Sequence, residues 1–459
     1  MTTKIFDVIV IGAGPAGEIA AGRIAERGDR EVAIVERELV GGECSFWACM
    51  PSKALLRPQE LLAEAARVPG AAQAVNGNGV DVAATLERRD AIIHHLDDDN
   101  QVPWLDSRGI TLVRGSARLA GERRVAVGDD VLEAREAVIV AVGTGAVMPQ
   151  IPGLADVAPW TNREITTTSD VPGHLVVLGG GVVGVEMAQA WRSLGSVVTV
   201  VEALDRLLPR EEPFAGEEVA ESLRERGIDV RTGVRATRVE RTDDGAVRVE
   251  LGDGASVTGD RLLVAVGRKP LTDDLGLETV GVEPGQPIRV DDSLRVPGHE
   301  WLYAVGDVNG EALLTHMGKY QARVAADRIL GDEQARIEVT GLLSPRVVFT
   351  DPQVAGTGHT LASALEAGIP AKAIDLPTAS TAGASFYGRS AGGTTRFVVD
   401  TERELLVGAT FVGPEVADFL QAATIAIVGE VPIDRLVHAI APFPARSELW
   451  LKFIEAYGR

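Results

Sequence analysis

Residues 6–36 read FDVIVIGAGPAGEIAAGRIAERGDREVAIVE, and this stretch decides the fold. Val8 to Ile11 form a short apolar run with the length of a buried strand. Glycines then make a turn, and a helical pattern follows with Ile19, Ala20, Ile24 and Ala25 on its apolar side. A second apolar run ends at Glu36. The spacing Gly12-x-Gly14-x-x-Gly17, opened by a strand and closed by an acidic residue at the next strand end, is the dinucleotide-binding fingerprint in its required context. Gly12 permits the tight turn, Gly14 lets backbone approach a pyrophosphate, and Gly17 lets helix pack on strand. Glu36 stands where a ribose hydroxyl would be accepted.

The pattern recurs at residues 174–202, HLVVLGGGVVGVEMAQAWRSLGSVVTVVE, with Gly179, Gly181 and Gly184 at the same spacing and Glu202 at the strand end. Two fingerprints imply two dinucleotides, or one site in use and one degenerate; the completeness of both favours two. A carboxylate at Glu202 can bond a free 2′-hydroxyl and repels a 2′-phosphate, so NADH is expected in preference to NADPH. Arg206 nearby is the residue able to change that preference.

A chain of 459 residues exceeds one hydrophobic core and predicts two to four domains. A formal charge of -21 disfavours nucleic acid and anionic membrane as partners, both being polyanions. The N-terminus lacks the pattern of a secretory leader, and no apolar run reaches membrane-spanning length. The cytoplasm is therefore the expected compartment. The chain's two cysteines exclude a disulfide-stapled scaffold and a four-thiolate metal centre.

Between the repeats, residues 54–104 carry helical spacing and end in His94, His95 and the run Asp97 to Asp99. A metal site is conceivable there, but an acidic helix surface is the expected reading, and no metal is assigned. The segments AVIVAVGTGAVMPQIPG (137–153) and LLVAVGRKP (262–270) share a strand-then-turn form and read as crossings between domains. WLYAVGDVNG (301–310) is a further buried strand, ending in Gly306-Asp307; its carboxylate suits either a ribityl-bearing cofactor or a helix cap. The last 120 residues alternate strand patterns with turns and include a helical run, VADFLQAATIAIVGE, as a mixed α/β domain suited to self-association.

Cys44 and Cys49 lie in GGECSFWACMPSK, residues 41–53. Five positions apart is a poor separation on a straight helix, so a bond between them requires local distortion. Inert buried thiols are one reading; a redox-active dithiol beside a dinucleotide is the favoured one.

Over nearly its full length the chain resembles the class I pyridine nucleotide-disulfide oxidoreductases, which include dihydrolipoamide dehydrogenase, glutathione reductase and mercuric reductase. The matches are Gly41, Gly42, Cys44, Cys49, Pro51, Ser52 and Lys53; the two glycine fingerprints; Gly267 to Pro270; and Ala304, Gly306 and Asp307. The resemblance implies an α/β fold with two Rossmann-like domains and a C-terminal mixed α/β dimerisation domain. It divides the chain into an FAD-binding domain (1–148 and 270–335), an NAD-binding domain (149–269) and an interface domain (340–459). It implies FAD on the first fingerprint, with Gly143, Gly306 and Asp307 beside it, and nicotinamide on the second, with Gly267 and Arg268 nearby. It also implies a homodimer. Cys49 would be the flavin-side thiol, forming a charge-transfer thiolate, and Cys44 the interchange thiol. Lys53 would sit by the flavin and pair with Glu186.

The departures bear on the substrate. Where the family carries HxHPTxxE, this chain has Ala441-Pro442-Phe443-Pro444-Ala445-Arg446-Ser447-Glu448. Phe443 stands at the proton-transferring histidine. Glu448 is left as an orphan carboxylate, an arginine's ion-pair partner, or a direct acid/base; His438 and His316 are the alternative stand-ins. Glu43 and Ala48 replace the usual Thr and Gly, and Phe46-Trp47 either stack on a flat acceptor or fill the core. The chain ends without the cysteine tail seen in mercuric and some thioredoxin reductases. The expected activity runs from NADH through FAD to Cys44–Cys49 and on to a small disulfide. A quinone-type or other diffusible small-molecule electron acceptor, or a low-turnover redox sensor, are the alternatives.

Overall fold

The computed structural model describes residues 3–75, 79–388 and 391–459. These divide into two compact units: residues 1–51, 90–147 and 268–341, and residues 52–89, 148–267 and 342–459. The helices that position the candidate site are, in chain order, α1 (Pro15–Arg27), α2 (Gly42–Phe46), α3 (Cys49–Arg67), α4 (Val182–Ser193), α5 (Thr315–Ile329), α6 (Ala417–Val428) and α7 (Leu449–Tyr457).

In the first unit the apolar run of residues 8–11 is the buried half of the strand Thr3–Ile11. It lies between Val32–Glu36 and Asp130–Val140, parallel to both. Thr111–Arg114 extends the parallel sheet on one side, and Leu302–Ala304 pairs with the end of Asp130–Val140. Arg124–Val127 and Ala117–Leu119 add an antiparallel meander. α1 and α5 cover one face, where Val8, Val10, Ala20, Ile24, Ala322 and Ala325 are buried together. Strands buried on both faces carry continuous apolar runs instead of alternation, as residues 8–11 and 137–140 do. The short ribbon pairing Thr144–Ala146 with Arg268–Pro270 marks where the chain leaves this unit and re-enters it.

In the second unit His174–Leu178 sits between Val197–Val201 and Arg261–Val264 in a four-stranded parallel sheet, with Asp229–Arg231 at one edge. A three-stranded antiparallel sheet, residues 236–259, accompanies it. The C-terminal part is a five-stranded antiparallel sheet with α6 and α7 packed on it. Its centre is aromatic: Phe397 stacks on Phe453 with ring centroids 4.3 Å apart and meets Phe411 edge-on at 5.6 Å. The fold is therefore α/β, with two Rossmann-like halves and a C-terminal mixed α/β domain.

Residues 52–89 group with the second unit. Leu55, Leu56 and Leu86 pack with Val185, Met187 and Trp191, and the buried Arg89 donates to the carbonyls of Thr166 and Thr168. Residues 94–99 are not a helix surface. His94, His95 and Leu96 all have positive φ, forming a left-handed turn, and Asp98 is buried. Asp98 accepts from the Val40 N–H and pairs with Arg114, so it works as a strut between segments.

Candidate active site

The two glycine turns repeat one another in detail. Gly12 and Gly179 have φ of +99° and +108°, a region that costs most side chains energy. A Cβ on Gly17 would lie 1.9 Å from the Gly12 carbonyl oxygen, and one on Gly184 equally 1.9 Å from that of Gly179. These two glycines thus let each helix close onto its turn. Gly14 and Gly181 differ: a Cβ there would meet nothing within 4 Å, so their backbone faces open space at a helix N-terminus. That is the geometry by which backbone N–H groups and the helix dipole receive a pyrophosphate.

Glu36 and Glu202 are also alike. One oxygen of each accepts an N–H of its own glycine loop, Ala13 at 2.8 Å and Gly180 at 2.5 Å. The other accepts from the following turn, Glu38 and Leu204 at 2.7 Å each. Each carboxylate thus braces its loop first, and a ribose would use its remaining lone pairs. Arg206 donates to the Pro209 carbonyl.

Around the first turn the other expected residues gather. Gly42 abuts Gly14, where a Cβ would come 2.9 Å from the Gly14 Cα, and Gly41 has φ +111°. Gly306 faces Ala16, and Gly143 is open, with φ +71°. Asp307 accepts from Thr144 Oγ1 at 2.8 Å; burial raises its carboxyl above the usual range, opposed by Thr144 and Arg268. Arg268 donates to the Thr144 hydroxyl at 2.8 Å and carbonyl at 2.7 Å, and reaches Glu43 at 3.4 Å. Glu43, the unusual neighbour of Cys44, is therefore charge-paired. These residues suit FAD: an open phosphate cradle, an acidic strand end, and a half-buried carboxyl at the end of a third strand.

Both cysteines are half-buried thiols with no disulfide between them. α2 ends at Phe46, the chain turns through Trp47 and Ala48, and α3 starts at Cys49. The break supplies the distortion that the spacing requires, and the two thiols lie within hydrogen-bonding reach. Cys49 Sγ is 3.4 Å from the hydroxyl of Thr315, the first residue of α5, whose positive end favours a thiolate. The Cys44 thiol is pushed up, chiefly by its hydrogen bond to Cys49, then by burial; Thr315 and Lys319 oppose this. Phe46 is fully buried and fills the core beside Gly41. Trp47 is half-buried with its ring 5.7 Å from that of Phe46.

Lys53, one helical turn after Cys49 on α3, meets Glu186 Oε2 at 2.7 Å. The other Glu186 oxygen accepts the Phe349 N–H at 2.9 Å, and the Lys53 ammonium lies 4.9 Å over the Phe349 ring. Glu186 is buried, and a buried carboxylate is tolerated only with such partners.

The remaining candidates differ in exposure. Phe443 is 77% exposed, and Val437 and Ile440 are exposed beside it in sequence. His438 and His316 are exposed as well. Glu448 Oε2 is buried with no hydrogen-bond partner. The ion-pair reading of Glu448 with its neighbouring arginine does not hold for Arg446, which turns to the Pro414 carbonyl and lies 4.6 Å over the Tyr387 ring. Sequence reasoning missed Glu18, Thr315 and Lys319. No motif marks them, and helical periodicity alone places Thr315 and Lys319 on one face.

Comparison with known proteins agrees with this geometry. Residues 6–327 match the pyridine nucleotide-disulphide oxidoreductase family and residues 344–453 its dimerisation domain. A dihydrolipoyl dehydrogenase of Haloferax volcanii is 32% identical over 467 residues, covering 98% of this chain and 95% of its own. A mercuric reductase of Staphylococcus aureus is 29% identical over 447 residues, covering 96% and 81%. LpdA of Mycobacterium tuberculosis superposes with a TM-score of 0.86 at 26% identity, covering all of both chains. The flavoprotein disulfide reductase RclA of Escherichia coli shares the fold, with a TM-score of 0.83, 24% identity and coverage of 98% and 99%. With its two glycine turns, its thiol pair and both parts of the family pattern in order, the chain is a member of the pyridine nucleotide-disulphide oxidoreductases, flavoenzymes that use FAD and NAD(P)H.

Proposed function

We propose that this chain is a homodimeric NADH-dependent flavoenzyme whose Cys44–Cys49 pair reduces a small disulfide. The observation that carries the reading is the thiol pair itself, set at a helix break with Cys49 beside the first residue of α5, in the same unit as the first glycine turn.

In this reading the three-domain division is 1–148 with 270–335, 149–269, and 340–459. Gly12, Gly14 and Gly17 receive the FAD pyrophosphate, Glu36 its ribose, and Asp307 its ribityl chain, with Gly41, Gly42, Gly143 and Gly306 allowing close approach. Gly179, Gly181, Gly184 and Glu202 hold NADH, with Gly267 and Arg268 at the crossing. Bound FAD supplies the two-electron exchange between nicotinamide and thiols that no side chain can perform. Lys53, fixed by Glu186, contributes positive charge.

The thiol chemistry then balances on this chain's own atoms. The Cys44 thiolate attacks one substrate sulfur, forming a mixed disulfide as the first substrate thiolate leaves and takes a proton. The Cys49 thiolate attacks Cys44 Sγ, which re-forms the internal disulfide and releases the second thiolate, again to be protonated. Phe443 cannot handle either proton, which favours acceptors whose thiols leave readily. Glu448 is the remaining acid/base candidate of the C-terminal segment.

A panel of dialkyl and aromatic disulfides, assayed with NADH on wild type, Cys44→Ser and Cys49→Ser, tests this. The reading requires turnover that rises as the leaving thiol's pKa falls and that both variants abolish. The second reading, reduction of quinones or other diffusible acceptors, is favoured by exposed Phe443 in the histidine's place. Quinone reduction that persists undiminished in both variants, with no disulfide turnover, would establish it instead.

A further inference from the structure

The family motif lacks its imidazole here, and the dithiol needs some other positive charge if its thiols are to ionise near neutrality. We propose that Lys319 is that cation: it holds the Cys44–Cys49 pair toward thiolate, with Glu18 as the partner that sets how much of its charge the thiols feel. The proposal deepens the dithiol reading and rests on it.

The geometry comes from three helix starts that meet. α1 and α5 run side by side in the same direction. At one level a Cβ on Gly318 would lie 3.3 Å from the Ala16 Cβ. Two turns along, Arg23 and Asp327 form a bidentate pair at 2.6 and 2.5 Å. Between these contacts in sequence fall Glu18 on α1 and Lys319 on α5, opposite charges that feel one another electrostatically. Lys319 is four residues after Thr315 and so lies one turn along the same face, the face that brings the Thr315 hydroxyl to 3.4 Å from Cys49 Sγ. The start of α2, two residues before Cys44, is held against α1 by the Gly42–Gly14 contact. Neither Lys319 nor Glu18 belongs to the glycine turns or the thiol motif.

The electrostatics are consistent with that placement. Burial raises the Glu18 carboxyl to about 7; Lys319 opposes the shift and Glu36 adds to it. Lys319 and Thr315 both favour ionisation of Cys44, against its hydrogen bond to Cys49 and burial. Glu43, the remaining carboxylate beside Cys44, is taken up by Arg268. Below about pH 7 Glu18 is protonated and the Lys319 charge is undivided. Above it, Glu18 takes a share.

The test is the pH profile of iodoacetamide alkylation of Cys44, read by mass spectrometry on FAD-loaded protein reduced with dithionite. Lys319→Met is expected to raise the alkylation pKa by about one unit, since removing a nearby opposite charge acts on this scale. Glu18→Gln is expected to lower it, and Lys319→Arg to restore the wild-type profile. An unchanged profile in Lys319→Met would overturn the proposal. So would shifts of the same sign in Lys319→Met and Glu18→Gln, as general loosening produces. This readout needs no disulfide turnover, so it can succeed or fail independently of the substrate assignment.

Discussion

Glu18 shows how far a single residue can depart from what its type suggests. It is an unremarked letter after a glycine motif, yet its half-buried carboxyl is raised to about 7 by desolvation. A carboxyl raised on folding favours the folded state most when protonated. That contribution is complete below its unfolded value of 4.5 and is lost as pH rises through about 7. The loss is on the order of 3 kcal/mol, at about 1.4 kcal/mol per unit. Urea denaturation at pH 5 and pH 8 checks this: Glu18→Gln should lack that component and gain stability over wild type at pH 8 relative to pH 5. Equal pH dependence in the two proteins would contradict it. Glu43 makes the complementary point, because an acidic neighbour that would oppose a thiolate is paired with Arg268.

At the scale of elements, the parts closest to a local rule were the most legible in the sequence. A strand, glycine turn and helix specify one another over about thirty residues, and both turns carry the expected crowding at Gly17 and Gly184. Gly184→Ala tests that crowding at the second turn. The added carbon must push α4 off the Gly179 carbonyl, so NADH affinity should fall at least tenfold while FAD content is unchanged. Equilibrium dialysis and the flavin spectrum measure the two quantities, and unaltered NADH binding would contradict the argument. Elements that depend on distant partners were not legible. The turn at His94–Leu96 follows residues with helical periodicity, and its left-handed form accompanies the anchoring of Asp98 to Arg114 and to the Val40 N–H. Glu18 and Lys319 are 301 residues apart in sequence, and the α1–α5 packing that brings their helices together is a property of the fold alone.

At the scale of the whole molecule, the proposed function makes two nucleotide-binding turns and one dithiol into an electron path whose outlet is less typical than its inlet. The family pattern runs through residues 6–327 and 344–453. The departures from the family motif include Phe443, which is exposed, and they leave Glu448 with a buried Oε2 that has no hydrogen-bond partner. Hence the machinery could be read from motifs, whereas the acceptor could not: discrimination among acceptors depends on side chains that no spacing rule constrains. The central claim, that electrons from NADH reach the Cys44–Cys49 pair, is tested most directly by anaerobic NADH titration of the FAD-loaded protein. Two-electron reduction should produce a long-wavelength absorbance band from thiolate beside oxidised flavin, and Cys49→Ser should remove it. Wild-type protein that bleaches without the band while reducing quinones rapidly would contradict the claim.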